Sequence, residues 1–125
     1  MRALRSIPLV LLLSLLPALA VRPRPLHMFY EVKANLSREQ VGLLARAGVR
    51  RIQPGIESLS DHVLKLMRKG TTGLRNVQLL KWCRELGVQV DWNLLYGFPG
   101  ETAEDYASLL ELLPSIRFLQ PPGAC

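Results

Sequence analysis

At 125 residues the chain is long enough for one domain, and 49% hydrophobic with 21% charged residues is an ordinary globular composition. Two cysteines, Cys83 and Cys125, are too few for a disulfide framework or a cysteine-ligated metal centre. The net charge of +6 does not signal nucleic acid: Arg2, Arg5, Arg22 and Arg24 stand in the first 25 residues without an acidic neighbour, the remainder holds 12 basic and 10 acidic residues, and no aromatics interleave with a basic stripe.

In chain order, residues 1–25 form an apolar, basic N-terminal segment, distinct from a domain over 26–125. Within residues 1–20, two arginines, an apolar run over 7–19 and Ala18-Leu19-Ala20 imitate a secretory signal. Pro8 and Pro17 interrupt the run, which is too short for a membrane span. The other reading is an apolar barrel helix over 9–20 with a loop over 21–25, which makes the chain cytoplasmic rather than secreted.

A strand is expected over 28–35. Ser37, with Gln40 three positions on, has the spacing of a capping box that starts a helix running to about Ala47, with Gly48 as its C-terminal cap. A second strand follows over 49–56. Ser60 or Asp61 caps a short helix through Met67, the Gly-rich stretch 69–73 breaks it, and a further helix over 74–86 ends at Gly87. A third strand is expected over 88–96. The turn over 97–102 then leads into a helix from Thr102 to about Leu113, and 116–119 reads as the start of a fourth strand stopped by Pro121 and Pro122. Gly48-Val49 and Gly87-Val88 occupy equivalent places in successive units. Strands separated by helices imply a parallel α/β sheet. A closed barrel of eight such units needs about 250 residues, so the expected fold is a slice of a larger one.

The three strands share a pattern. Alternate side chains of a strand point to opposite faces. Glu31, Lys33 and Asn35 therefore share a face, as do Gln53 and Glu57, and as do Asp91 and Asn93. The opposite faces carry Tyr30, Val32 and Ala34, then Ile52 and Ile56, then Val90, Trp92 and Leu94. The apolar faces meet helices, and the polar faces converge on a second surface written like a ligand-binding barrel lumen. The alternative is a one-sided sheet with its polar face in water. Parallel sheets rarely adopt that form.

Four motifs carry a resemblance: residues 29–36 (FYEVKANL), 52–60 (IQPGIESLS), 67–72 (MRKGTT) and 93–102 (NLLYGFPGET). In this order and spacing the chain, over about 26–122, resembles the middle of a radical S-adenosylmethionine enzyme. It is most similar to the enzymes that mature ribosomally synthesised peptides and carry a cobalamin-binding domain. The resemblance implies an α/β fold, a slice of a partial (β/α)6 TIM-like barrel. In that family the lumen holds a [4Fe-4S] cluster and S-adenosylmethionine. It implies that Glu31, Glu57 and Asn93 face the ribose and methionine parts of the cofactor, with Lys69 near the methionine carboxylate. A carboxylate can accept hydrogen bonds from both ribose hydroxyls, and a lysine contact to a carboxylate is charge-assisted.

Each residue has a plainer reading. Glu31 and Lys33 can be a same-face pair on a wet sheet, Lys69 can complement a helix C-terminus, Asn93 can be a satisfied lumen amide, and Glu57-Ser58 can merely begin the following helix. The chain also departs from the family. It lacks the CxxxCxxC triplet that anchors the cluster, and it lacks the cobalamin domain. The expectation is therefore a barrel fragment, inactive alone, whose intact relatives cleave S-adenosylmethionine to a 5′-deoxyadenosyl radical and modify a precursor peptide, often by methyl transfer. The competing expectation is a non-catalytic peptide- or nucleotide-binding half-barrel. Neither reading expects a nucleic-acid or membrane partner.

Overall fold

The computed structural model of the chain describes residues 14–23 and 26–123. Three parallel strands, β1 (Met28–Val32), β2 (Val49–Pro54) and β3 (Gln89–Val90), pair in the order β1-β2-β3. Helix α1 (Leu16–Ala20) precedes the sheet, and α2 (Arg38–Ala47) joins β1 to β2. Two helices, α3 (Asp61–Leu66) and α4 (Gly73–Glu85), join β2 to β3, and α5 (Ala103–Ile116) follows. This is the parallel α/β slice, strands joined by helices, that the sequence implies. No helix among the described residues is long and apolar enough to cross a membrane. The N-terminal question falls mostly on residues 1–13, outside the described residues. The end of that segment forms α1, which packs on α2 and buries Leu16.

Local chemistry sets the helix boundaries. Ser37 accepts from the Gln40 amide while the Gln40 side chain accepts from the Ser37 amide, closing both ends of the capping box. Gly48 ends α2 in the left-handed region, at φ 99°. Its carbonyl accepts from Met28 N at 2.9 Å, which ties the helix cap to the first residue of β1. Helix α3 ends in a Schellman motif, with Lys69 N bonding Leu64 O and Arg68 N bonding Lys65 O, both at 3.0 Å. Arg68 takes the left-handed position usually given to glycine, at φ 54°. That turn places Lys69 directly after the helix.

The core lies between the sheet and α2 and α4. Ile52, Leu44, Val41, Leu79, Leu80 and Cys83 are fully buried there. Truncating one of these leucines to alanine costs about 2–5 kcal/mol by transfer and cavity terms. The polar faces fall where alternation puts them. Phe29 and Glu31 on β1, and Arg51 and Gln53 on β2, are exposed, whereas Ile52, Pro54 and Ile56 are buried. In this slice that polar face is open to solvent.

Three expectations are corrected. The first two strands are shorter than 28–35 and 49–56. The third is reduced from 88–96 to two residues plus an isolated bridge between Glu57 and Leu94. The cause is Pro54. Asp91 N bonds Ile52 O at 2.9 Å, and the next bond of a parallel ladder requires an N–H from residue 54, which proline lacks. Pairing resumes one residue out of step, with Leu95 N bonding Glu57 O at 2.9 Å.

The fourth strand over 116–119 does not form. Helix α5 continues through Pro114 to Ile116, and Pro121 and Pro122 cannot donate to a ladder. The Gln120 side chain takes the place of a strand along β3. Its Oε1 accepts from Val90 N at 2.7 Å and its Nε2 donates to Val88 O at 3.1 Å. Two further bonds, Trp92 Nε1 to Gln120 O and Gly123 N to Trp92 O, hold residues 120–123 beside the sheet edge.

Candidate functional site

Beyond Pro54, β2 leaves the sheet through two tight turns. Ile56 N bonds Pro54 O at 2.9 Å, and Ser58 N bonds Ile56 O at 2.7 Å. The second of these i→i+2 bonds encloses Glu57, whose φ is 59°. It is a γ-turn of the left-handed kind, rare for a side-chain-bearing residue and costing on the order of 1–3 kcal/mol. Strain of this sort persists only where the surroundings impose it. Here the Glu57 carbonyl is held by Leu95 N, and the carbonyls on either side of it are held by Asn76 of α4.

The turn aims the Glu57 carboxylate at Lys69, with Nζ to Oε2 at 3.0 Å and side-chain exposures of 34% and 25%. The ammonium lies over Gly55. A Cβ at residue 55 would stand 3.0 Å from Lys69 Nζ and 3.8 Å from Glu57 Oε1, so glycine leaves the floor of the pair open. A carboxylate and an ammonium, partly exposed at the C-terminal end of parallel strands, can hold a ligand that presents both hydroxyls and a carboxylate.

The other two expected residues are placed differently. Glu31 is exposed on β1 and stands level with Gln53, four positions before Glu57. Asn93 is half-buried and lies outside any strand, one residue before the Leu94 bridge. Its Oδ1 would be 3.3 Å from a Cβ on Gly123. The structure therefore joins Glu57 to Lys69, sets Asn93 next to the bridge partner Leu94 with its side chain near Gly123, and leaves Glu31 exposed on β1. The Arg51–Asp91 pair at 2.5 Å occupies the open polar face as well. Tyr96, 84% exposed, follows Leu95 into a loop closed by Glu101, which accepts from Gly97 N and from the Tyr106 hydroxyl, each at 2.7 Å. The Tyr106 hydrogen bond holds the Glu101 carboxyl below its ordinary range.

Asp105 stands three positions after Thr102 and closes the capping box that this spacing implies, but sequence reasoning missed Asn76 and the links from Asp105 to Ser60 and His62. Asn76 was legible as a polar residue on the apolar stripe Asn76-Leu79-Leu80-Cys83 of α4. Asp105 is nearly buried. It accepts from Ser60 Oγ at 2.6 Å, from His62 Nδ1 at 2.9 Å, and from Thr102 N at 2.9 Å. These bonds, Ser60 foremost, hold its carboxyl far below the usual aspartate range. The composition is that of a nucleophilic triad, but the connectivity is not. Ser60 donates to the carboxylate rather than to the imidazole, so no base stands ready for its hydroxyl. The cluster instead fastens the start of α5 to the start of α3.

The residues of this chain do not fit an iron–sulfur cluster. Three close thiolates are required, and the chain has only Cys83 and Cys125. Cys83 is fully buried, and burial pushes its thiol up to about 12. Cys125 lies outside the described residues.

Comparison with known proteins places this geometry. The family model described as the radical SAM superfamily matches residues 7–113. The tRNA-2-methylthio-N(6)-dimethylallyladenosine synthase of Acidithiobacillus ferrooxidans is 35% identical over 116 residues, 87% of this chain and 26% of that protein. The ribosomal protein uS12 methylthiotransferase of Flavobacterium johnsoniae is 40% identical over 65 residues, 50% of this chain and 15% of that protein. Among solved structures, the radical S-adenosylmethionine methyltransferase TsrM of Kitasatospora setae superposes with a TM-score of 0.70 at 23% identity, covering 87% of this chain and 23% of that one. The cobalamin-dependent radical enzyme OxsB superposes at 0.64 with 22% identity, covering 78% and 15%. The chain thus spans about a quarter or less of the proteins it matches. With a parallel slice of barrel, a polar lumen face and a family model that matches most of its length, the chain belongs to the radical SAM superfamily.

Proposed function

We propose that this chain is the S-adenosylmethionine-binding middle of a radical enzyme's barrel, with Glu57 and Lys69 as the principal cofactor contacts and Asn93 and Glu31 as secondary polar contacts. The observation that carries this reading is the Glu57–Lys69 pair, 3.0 Å apart, mounted on a strained turn over Gly55. When bound, S-adenosylmethionine supplies a sulfonium that can be cleaved to a radical or can give up a methyl group. The chain's own residues bind and orient. The Glu57 carboxylate accepts hydroxyl hydrogens, and the Lys69 ammonium, already turned toward a carboxylate, offers its remaining hydrogens to the methionine carboxylate. Cluster chemistry belongs to residues outside this chain.

The substrate reading is coarser. The names of the matched relatives support group transfer to tRNA or to a ribosomal protein, and the cobalamin-dependent neighbours support the fold alone. None of these relatives supports the ribosomal precursor peptide expected from the motifs, and the tRNA-acting relative runs against the expectation of no nucleic-acid partner. We therefore assign methyl or methylthio transfer to a macromolecule of the translation apparatus, with peptide maturation as the second reading on the motif resemblance.

Titration calorimetry of the full chain with S-adenosylhomocysteine tests the site. Glu57→Ala and Lys69→Ala weaken binding about ten- to a hundredfold, corresponding to ~1.5–3 kcal/mol for a lost charged hydrogen bond. Glu39→Ala and Glu85→Ala, on helix surfaces, leave it unchanged. Equal affinities across all four variants overturn the assignment.

A further inference from the structure

Asn76 is 0% exposed in the first turns of α4. Its Nδ2 donates to Ser58 O at 2.9 Å and to Ile56 O at 3.4 Å, the two carbonyls that bracket Glu57. Its Oδ1 has no partner among the described residues. The two carbonyl acceptors fix the amide's orientation, because a flipped amide would set oxygen against oxygen. A buried amide oxygen left unpaired opposes folding, and a leucine at this place would extend the apolar stripe of α4. The arrangement is accounted for by what the amide group does at its other end.

Between its two acceptors lies the one residue of this segment that should resist its own conformation. Glu57 has a φ of 59°, a region that side-chain-bearing residues rarely enter. One bond closes the turn from within, Ser58 N to Ile56 O at 2.7 Å, and Leu95 N holds the Glu57 carbonyl at 2.9 Å. Asn76 holds it from outside, with one NH2 group bridging the residue before and the residue after. We propose that Asn76 is a positioning residue: it clamps the left-handed turn over Ile56–Ser58 and so keeps the Glu57 carboxylate directed at Lys69. The clamp rests on the cofactor reading only where ligand affinity is concerned. Its mechanical part stands without it.

The two parts separate in a double-mutant cycle on the full chain. Glycine adopts φ 59° without strain, so a clamp whose work is to hold a strained Glu57 has less to do once residue 57 is glycine. Urea unfolding is expected to show a large loss of midpoint for Asn76→Ala and for the isosteric Asn76→Asp, which keeps the volume but not the donors. In a Glu57→Gly background the same changes should cost less than about half as much. Where Asn76→Ala alone fails to fold, Asn76→Ala with Glu57→Gly should restore a cooperative transition. Equal losses in both backgrounds, Asn76→Asp as stable as the unaltered chain, or no restoration by glycine would overturn the clamp. S-adenosylhomocysteine affinity is the second readout, expected to fall about tenfold in Asn76→Asp at a temperature where that variant is folded. An unaltered chain that binds no S-adenosylhomocysteine would refute the cofactor reading, while the unfolding cycle would still decide the clamp.

Discussion

Replacing Gly48 by alanine separates two costs that usually come together. Gly48 and Gly87 both follow a helix in the left-handed region, at φ 99° and 71°. Alanine in such a place costs about 1 kcal/mol in backbone strain, part of it offset by reduced freedom of the unfolded chain. At Gly87 nothing lies within 4 Å of the added Cβ, so Gly87→Ala should cost about 1 kcal/mol and no more. At Gly48 the Cβ would lie 2.0 Å from Leu26 O and 3.0 Å from Leu26 C. A backbone atom cannot swing aside like the end of a side chain, so the strand entry must move by more than an ångström. That movement breaks the Met28 N to Gly48 O bond, adding about 1 kcal/mol, and disturbs the register at the Met28/Phe29 irregularity. The sum is about 2–4 kcal/mol. Urea unfolding of the full chain followed by circular dichroism measures it, with the two variants compared at equal m-value. Equal midpoints for Gly48→Ala and Gly87→Ala would refute the steric argument.

Three further outcomes are expected. The Asp105 carboxyl titrates below its unfolded value of about 3.9, so its contribution is fully present above that pH and is lost as pH falls through the lower folded value. The stability advantage of the unaltered chain over Asp105→Asn should thus be flat near neutrality and shrink only below about pH 4; a difference unchanged down to pH 2 would count against it. In a Cys125→Ser background, Cys83 should resist iodoacetamide at pH 8 in the folded chain and react on unfolding, since burial raises its thiol to about 12. Anaerobic reconstitution of the chain with iron and sulfide should leave no visible-band chromophore after desalting, because two distant cysteines cannot replace three close ones; a stoichiometric cluster would contradict this.

The amino-acid sequence determined the helix boundaries and the parallel α/β slice, because both are written in short-range chemistry. Ser37 and Gln40 close a capping box with each other, Gly48 ends α2 through its own φ, and the alternation of Tyr30, Val32 and Ile52 with Glu31 and Gln53 assigns faces without reference to distant residues. The family was legible as well, in four ordered motifs. What sequence alone did not settle was how far each strand runs and which polar residues meet. Pro54 removes a single donor, yet its effect appears on β3, where the ladder stops after Val90. A pairing partner decides that length. Glu57 was read as one position on a strand face; tertiary contacts from Leu95 and Asn76 hold it instead in a left-handed turn against Lys69. Gln120 replaces a strand with a side chain, a substitution that local propensity does not encode. Alternation and capping act over two to four residues and are visible in a string. The site depends on hydrogen bonds between residues 12 to 38 positions apart, and only the packed fold brings those together.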